Sequence, residues 1–287
     1  MQIARSIHAV RDAVAAARSA GKTIGLVPTM GALHDGHFSL IDAARAGCDY
    51  VVVSIFVNPL QFGPAEDLDA YPRREAEDLA GCEAWGVDAV FLPSAEELYP
   101  GECLTEVRVE RLSRTLCGAS RPGHFPGVCT VVAKLFNIVQ PDRAYFGAKD
   151  FQQAAILRRM VTDLDFPVEI VVCPIVREPD GVAMSSRNAY LTPEQRRQAR
   201  ALHAALKEAE ASVLSHRPSA REVVAAIRGF LASHAPDGAV DYVQIVDPSA
   251  LSDVEQTDAA ILIALAVTFG RARLIDNLLV DASRPDG

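Results

Sequence analysis

TIGLVPTMGALHDGHFSLIDAARAGCDYVVVSIFV, residues 23–57, decides the fold. A short apolar strand is expected over 23–28, after Gly21, and a helix over 38–46. The β-branched run at 50–57 shows no polar alternation, which is the pattern of a strand covered on both faces. Between the first strand and the helix lies a loop, 28–37, carrying two glycines and two histidines.

The same alternation continues down the chain. A helix is predicted over 75–85, a strand over 88–92 and an apolar helix over 128–139. Strands follow at 144–146 and 168–173. Strands separated by helices predict an α/β fold, a Rossmann-like parallel sheet with helices on both faces. The first 20 residues are spaced like an amphipathic helix through Ile3, Ile7, Val10, Val14 and Ala17. Beyond Cys173 the pattern changes. A loop runs to about Leu191, and Thr192 and Pro193 then open a helix as N-cap and first-turn residue. That helix reaches about Leu214, and a second covers 220–232. The stretches 240–246, 260–268 and 273–276 read as strands. They predict a smaller α+β C-terminal domain, dividing the chain into 1–175 and 176–287.

Composition narrows the function. The chain has 287 residues and a formal net charge of -9, which argues against an electrostatic hold on nucleic acid. Arg196, Arg197 and Arg200 lie beside Glu194 and read as a solvated helix face. The longest apolar run, 259–267, is far short of the roughly 20 residues a membrane span needs and reads as a buried strand. No signal peptide is visible. The six cysteines form no CxxC pair and have no zinc-site spacing with histidine, as expected for reduced thiols in a cytoplasmic protein.

Ligands of an open parallel sheet bind beyond the carboxyl ends of its strands, and three segments fall there. In the first, Gly31 and Gly36 permit close approach of backbone to a ligand. His34 and His37 stand at a helix start, where free N–H groups and a partial positive charge suit a polyphosphate. A turn with two surface histidines, or a shared zinc lacking an obvious third ligand, are the other readings of that segment. The second segment, 147–153, holds Lys149, which could neutralise phosphate, and Asp150, which could cap the next helix. The third, Met184, Ser185, Ser186, Arg187 and Asn188, offers two hydroxyls and a guanidinium that can wrap phosphate oxygens or simply face solvent.

Taken together, PTMGALHDGH, SIFVNPLQF, DLDAYPR, RPGHFPGVCTVVAKLFNIVQPDRAYFGAKDFQQ and REPDGVAMSSRNAYL resemble the pantothenate synthetase (pantoate–β-alanine ligase) family, from the first strand to about Leu191. The resemblance implies ATP-dependent condensation of pantoate with β-alanine through a pantoyl-adenylate, with Mg²⁺, in a cytoplasmic homodimer. It implies an ATP loop of Met30, Gly31, Ala32, Leu33, His34, Asp35, Gly36 and His37, with His37 as proton donor and His34 beside it. Gln61 is implied to contact pantoate and β-alanine, and Gln153 pantoate. Gly147, Ala148, Lys149 and Asp150 are implied to touch ATP, with Lys149 on phosphate. The resemblance also puts Val176 on the adenine and Met184, Ser185, Ser186 and Arg187 over the phosphates, and makes the C-terminal domain a lid. Asn58 and Tyr71 sit in matching motifs. Ala148 departs from the family, which often has glutamate there. Its rivals are another HxGH nucleotidyltransferase, a non-catalytic nucleotide-binding module and a histidine–metal hydrolase.

Overall fold

The computed structural model describes residues 1–64 and 66–282. In chain order the elements are β1 (Gln2–Ala4), α1 (Ile7–Ser19), β2 (Ile24–Thr29), α2 (Asp35–Gly47), β3 (Tyr50–Ile55), α3 (Glu75–Ala84), β4 (Ala89–Phe91) and α4 (Ala95–Leu98). Then come α5 (Leu116–Ser120), α6 (His124–Val139), β5 (Arg143–Gly147), α7 (Phe151–Asp163) and β6 (Glu169–Cys173). The last are α8 (Pro193–His216), α9 (Ala220–His234), β7 (Ala239–Val246), β8 (Ala260–Phe269) and β9 (Ala272–Asp281). Two compact units result. One is Met1–Ser113 with Arg121–Pro174, and the other is Arg114–Ser120 with the chain from Ile175 onward.

The first unit is built on a six-stranded sheet in the order β1-β4-β3-β2-β5-β6. All five pairings are parallel. Val51 to Ile55 of β3 are all buried, so helices cover both faces, as the unbroken β-branched run predicts. Ile3 does not begin the amphipathic helix but pairs with Val90 in β1. Gln2 donates its N–H to the Asp88 carbonyl, and Leu92 donates to Ala4. The helix starts only after Ser6, whose hydroxyl accepts from Ala9 N at 3.2 Å. The spacing of Ile3 and Ile7 therefore imitates one helix across a strand and a separate helix.

The second unit is a three-stranded antiparallel sheet, β7-β8-β9, packed with α8 and α9 around one apolar core. Thr192 caps α8 with a reciprocal bond from Gln195, and Pro193 holds its first turn. The run 259–267 lies within β8 and its neighbouring residue and is largely buried, as expected. The segment Arg114–Ser120 joins this unit, with Leu116 N donating to Gln244 Oε1 at 3.1 Å.

Arg196 is not a merely solvated residue of α8. Its guanidinium forks onto Glu178 at 2.9 and 2.8 Å and onto Asp180 at 3.0 and 2.6 Å. Asn188 adds a bond to Glu178 Oε1 at 2.6 Å. Charge attraction thus staples the loop 175–190 to the helix that follows it. Arg196→Ala would leave two carboxylates facing each other. It is expected to destabilise the second unit by about 2 kcal/mol, the scale of lost charge-assisted hydrogen bonds, seen as a lower denaturant midpoint.

Candidate functional site

In the first unit the chain runs from β2 through β3 to β4 on one side, then returns so that β5 lies on the other side of β2. The loops after β2 and β5 therefore leave the sheet in diverging directions. A crevice at such a reversal is where open parallel sheets bind ligands.

The loop after β2 is shaped by its own backbone and by one distant carboxylate. Gly31 has φ +83°, and a side chain there would meet Asp78 Oδ2 at 2.9 Å. Ala32 also has a positive φ, +50°. Thr29 Oγ1 accepts from Gly31 N at 3.2 Å. Asp78, buried on α3, then accepts from Ala32 N at 2.9 Å and Leu33 N at 2.7 Å. Burial raises the Asp78 carboxyl above its usual range, while the two backbone bonds oppose that shift. Nothing in EAEDLAGC singles out this residue from the sequence, because its partners lie 45 and 46 residues away.

His34 is the N-cap of α2 and His37 lies in its first turn. Their rings stack with centroids 4.0 Å apart. His37 Nδ1 accepts from the His34 backbone N at 3.3 Å. That bond leaves the proton of a neutral His37 on Nε2. Burial first, then His34 and Lys149, hold the His37 ring well below the usual imidazole range. Burial, with Lys149 second, brings His34 down to about 4. Lys149, in the short turn after β5, thus acts on both histidines, so the two loops flanking the reversal share one electrostatic site. At neutral pH the imidazoles are donors rather than cations.

Asp150 occupies the N-cap position of α7, but its side chain makes no capping bond, contrary to the expectation from sequence. Its carboxylate lies 3.9 Å from Lys149 Nζ. Gln153 follows, half-buried, in the first turn of α7, while its neighbour Gln152 is buried and donates to the Leu112 carbonyl at 2.8 Å.

Gln61 ends a short 3-10 turn after β3, Pro59–Gln61, and is buried. Its Nε2 donates to Met30 Sδ at 3.0 Å, which brings it to the loop after β2. Asn58 Nδ2 donates to Gln61 Oε1 at 3.2 Å, and Tyr99 donates its hydroxyl to Asn58 Oδ1 at 2.9 Å. Tyr71, from another family motif, packs edge-on against Phe62 with ring centroids 6.1 Å apart. The second unit carries the remaining candidates. There Met184 N donates to the Val176 carbonyl at 3.0 Å. Ser185 Oγ accepts from Arg187 N at 3.3 Å and starts a 3-10 turn, Ser186–Tyr190.

A parallel sheet whose reversal is flanked by an HxGH helix start and a lysine turn defines the HxGH nucleotidyltransferase class of α/β proteins. A sequence model described as pantoate–β-alanine ligase matches residues 2–279. The chain belongs to the pantoate–β-alanine ligase family. It is 53% identical over 283 residues to a pantothenate synthetase of Moorella thermoacetica, covering 99% of this chain and 100% of that one. A crystal structure of pantothenate synthetase from Thermus thermophilus superposes with TM-score 0.91 and 46% identity, covering 97% of this chain and 99% of that one. The pantoate–β-alanine ligase of Francisella tularensis, solved with β-γ ATP and β-alanine, has TM-score 0.80 and 35% identity, covering 97% of each chain. The antiparallel second sheet and the parallel first sheet both agree with that fold.

Two measurements test this geometry. Asp78→Ala frees two loop amides, so hydrogen exchange at Ala32 and Leu33 should quicken by about 10-fold or more. His34 and His124, each brought to about 4 from an ordinary 6.5, should show NMR midpoints near 4 in the free protein. Their contribution to stability is full above 6.5, because both states are then neutral. It is lost as pH falls toward 4, because the unfolded chain takes up protons that the folded sites refuse. The denaturant midpoint should accordingly fall between pH 7.5 and pH 5 by an amount that shrinks when these histidines are replaced.

Proposed function

We propose that this chain joins pantoate to β-alanine in two ATP-dependent steps. A pantoate carboxylate oxygen attacks the α-phosphorus of ATP, and the bond to the β-phosphate oxygen breaks, releasing pyrophosphate. The β-alanine amine then attacks the carbonyl carbon of pantoyl-adenylate, AMP leaves, and pantothenate forms. The observation that carries this reading is the electrostatic grouping of His34, His37 and Lys149 at the reversal of the sheet. Membership of the family supports the choice of substrates.

Negative charge builds on the α-phosphate and on departing pyrophosphate, and preorganised donors aimed there lower the barrier. His37 suits that task as a neutral Nε2–H donor at a helix N-terminus, where the first-turn amides add partial positive charge. Neutral rings admit an anionic carboxylate without trapping it as an ion pair, and Lys149 supplies the fixed cation. Gln61 presents its amide nitrogen as the donor, because Asn58 already occupies the oxygen. It therefore suits hydroxyl and carboxylate oxygens of pantoate and β-alanine.

Met30, Gly31, Ala32, Leu33, Asp35, Gly36, Gly147, Ala148 and Asp150 are assigned to ATP by the family resemblance, as are Val176, Met184, Ser185, Ser186 and Arg187. Gln153 is assigned to pantoate in the same way, and the C-terminal part of the chain to a lid. Among the described residues no group of three or more His, Cys, Asp or Glu side chains is arranged to hold a metal. Magnesium enters this reading by resemblance, as a companion of ATP, and when bound with it would supply charge neutralisation at the phosphates. Among the described residues no helix is long and apolar enough to cross a membrane. A cytoplasmic homodimer is part of the proposal, by resemblance.

Incubation with ATP, Mg²⁺, pantoate and β-alanine should yield AMP and pantothenate together, and pyrophosphate exchange into ATP should require pantoate. ATP binding with no AMP released would instead support a non-catalytic module. His37→Ala and Lys149→Ala should each lower kcat by about 10²–10³, the scale for one lost transition-state donor. Normal turnover in either folded variant would overturn the assigned roles.

A further inference from the structure

The segment RPGHFPG, residues 121–127, starts α6 and takes no part in the reaction described above. Its side chains nonetheless converge on one residue that does. His124 Nδ1 lies 2.9 Å from the Gln61 backbone carbonyl. A carbonyl only accepts, so Nδ1 carries the proton and donates. His124 Nε2 is then a bare acceptor, and Arg121 Nη1 donates to it at 3.2 Å. Arg121 is held in turn by Glu66, through Nε to Oε1 and Nη2 to Oε2, both at 2.6 Å. Its Nη2 also reaches the Gln61 carbonyl at 3.4 Å. Glu66 Oε2 closes the chain by accepting from Gly63 N at 3.2 Å. Each donor meets an acceptor, so the network specifies one tautomer of His124 and one position of the carbonyl it holds.

Packing fixes the same turn from another side. The backbone of α6 presses so closely on the turn that a Cβ on Gly127 would stand 2.2 Å from the Leu60 carbonyl oxygen and 2.7 Å from Gln61 N. The Gly127 carbonyl accepts from Asn58 Nδ2 at 3.1 Å. Gln61 is thus gripped at its backbone by α6 and at its side chain by Asn58. Burial and the Arg121 charge keep His124 neutral, with a value of about 4, as its dual role of donor and acceptor requires. Asp150, in the turn that also holds Lys149, acts electrostatically on the same ring.

We propose that His124, oriented by the Arg121–Glu66 pair, is a positioning residue that holds Gln61 in the geometry needed to bind the acid and amine substrates. The proposal rests on the reading of Gln61 as a contact for pantoate and β-alanine. Its chemistry is specific: the functional atom of His124 is Nδ1–H. Asparagine can put an amide N–H where Nδ1–H stands, glutamine puts one nearer Nε2, and phenylalanine keeps the ring without either nitrogen.

The test is steady-state kinetics of the full chain with His124→Asn, His124→Gln and His124→Phe, alongside amide exchange of residues 60–62 and thermal melting. His124→Phe and His124→Gln should raise KM for pantoate by roughly 5- to 30-fold, the scale of one lost hydrogen bond that had ordered a binding group. KM for ATP should change less than about 2-fold, and amide exchange across 60–62 should quicken. His124→Asn should restore pantoate KM to within about 3-fold of the parent. Should His124→Phe fail to fold, Arg121→Lys, which keeps a charge beside Glu66 but loses the fork, carries the same expectation. Equal rises in both KM values, or a His124→Asn variant no better than His124→Phe, would reduce His124 to a structural residue and overturn the proposal. Unchanged exchange across 60–62 would overturn the clamp whatever the substrate is. A parent protein without pantoate-dependent pyrophosphate exchange would instead remove the reading of Gln61 on which the proposal depends.

Discussion

Parallel strands cannot be joined by hairpins, so every connection in the first sheet must cross over a face. That constraint puts all the loops that begin at strand carboxyl ends along one edge. It also means that neighbouring loops part only where the direction of winding reverses, here between β2 and β5. The HxGH segment and the Lys149 turn stand on either side of that reversal because the strand order leaves them nowhere else. The grouping of charge and donors follows from topology before any side-chain detail enters.

Within the crevice, burial decides the character of the histidines. Two imidazoles beside a lysine read from sequence as a cradle of positive charge. Enclosure and the nearby Lys149 suppress their protonation, so they stand in the crevice as N–H donors rather than cations. The stacked rings and the His34 N–H to His37 Nδ1 bond then select which nitrogen of His37 carries hydrogen. A single buried carboxylate, Asp78, holds the backbone that presents them. The positive φ values at Gly31 and Ala32 are kept by those bonds.

The turn after β3 shows the same economy of means. A glutamine can read oxygen atoms only if its amide points one way, and a free glutamine amide flips readily. Asn58, itself fixed by Tyr99, occupies the oxygen end, and α6 holds the backbone. In the second unit, Arg196 performs a comparable service for the loop bearing the serines and Arg187. In the first unit the groups that hold these loops are scattered through the chain.

Local chemistry made much of this legible in advance. Strand and helix periods, the Thr192–Pro193 helix start and the HxGH loop depend on residues within a few positions of one another, so one linear stretch contains the whole signal. Ile3 misled for the same reason: its spacing to Ile7 is local, while the pairing that claims it, with Val90, is not. Asp78 and Tyr99 carry no local mark, and the motif that holds Arg121 and His124 does not show what they touch, because each of the four acts on a residue 41 or more positions away. The amino-acid order alone determined the layered α/β architecture, the family and the loops that leave the strand carboxyl ends. Only the folded chain decided which atoms face each other, which imidazole nitrogen bears hydrogen and which distant groups hold Gln61, since desolvation and hydrogen-bond direction exist only once the strands have been brought together.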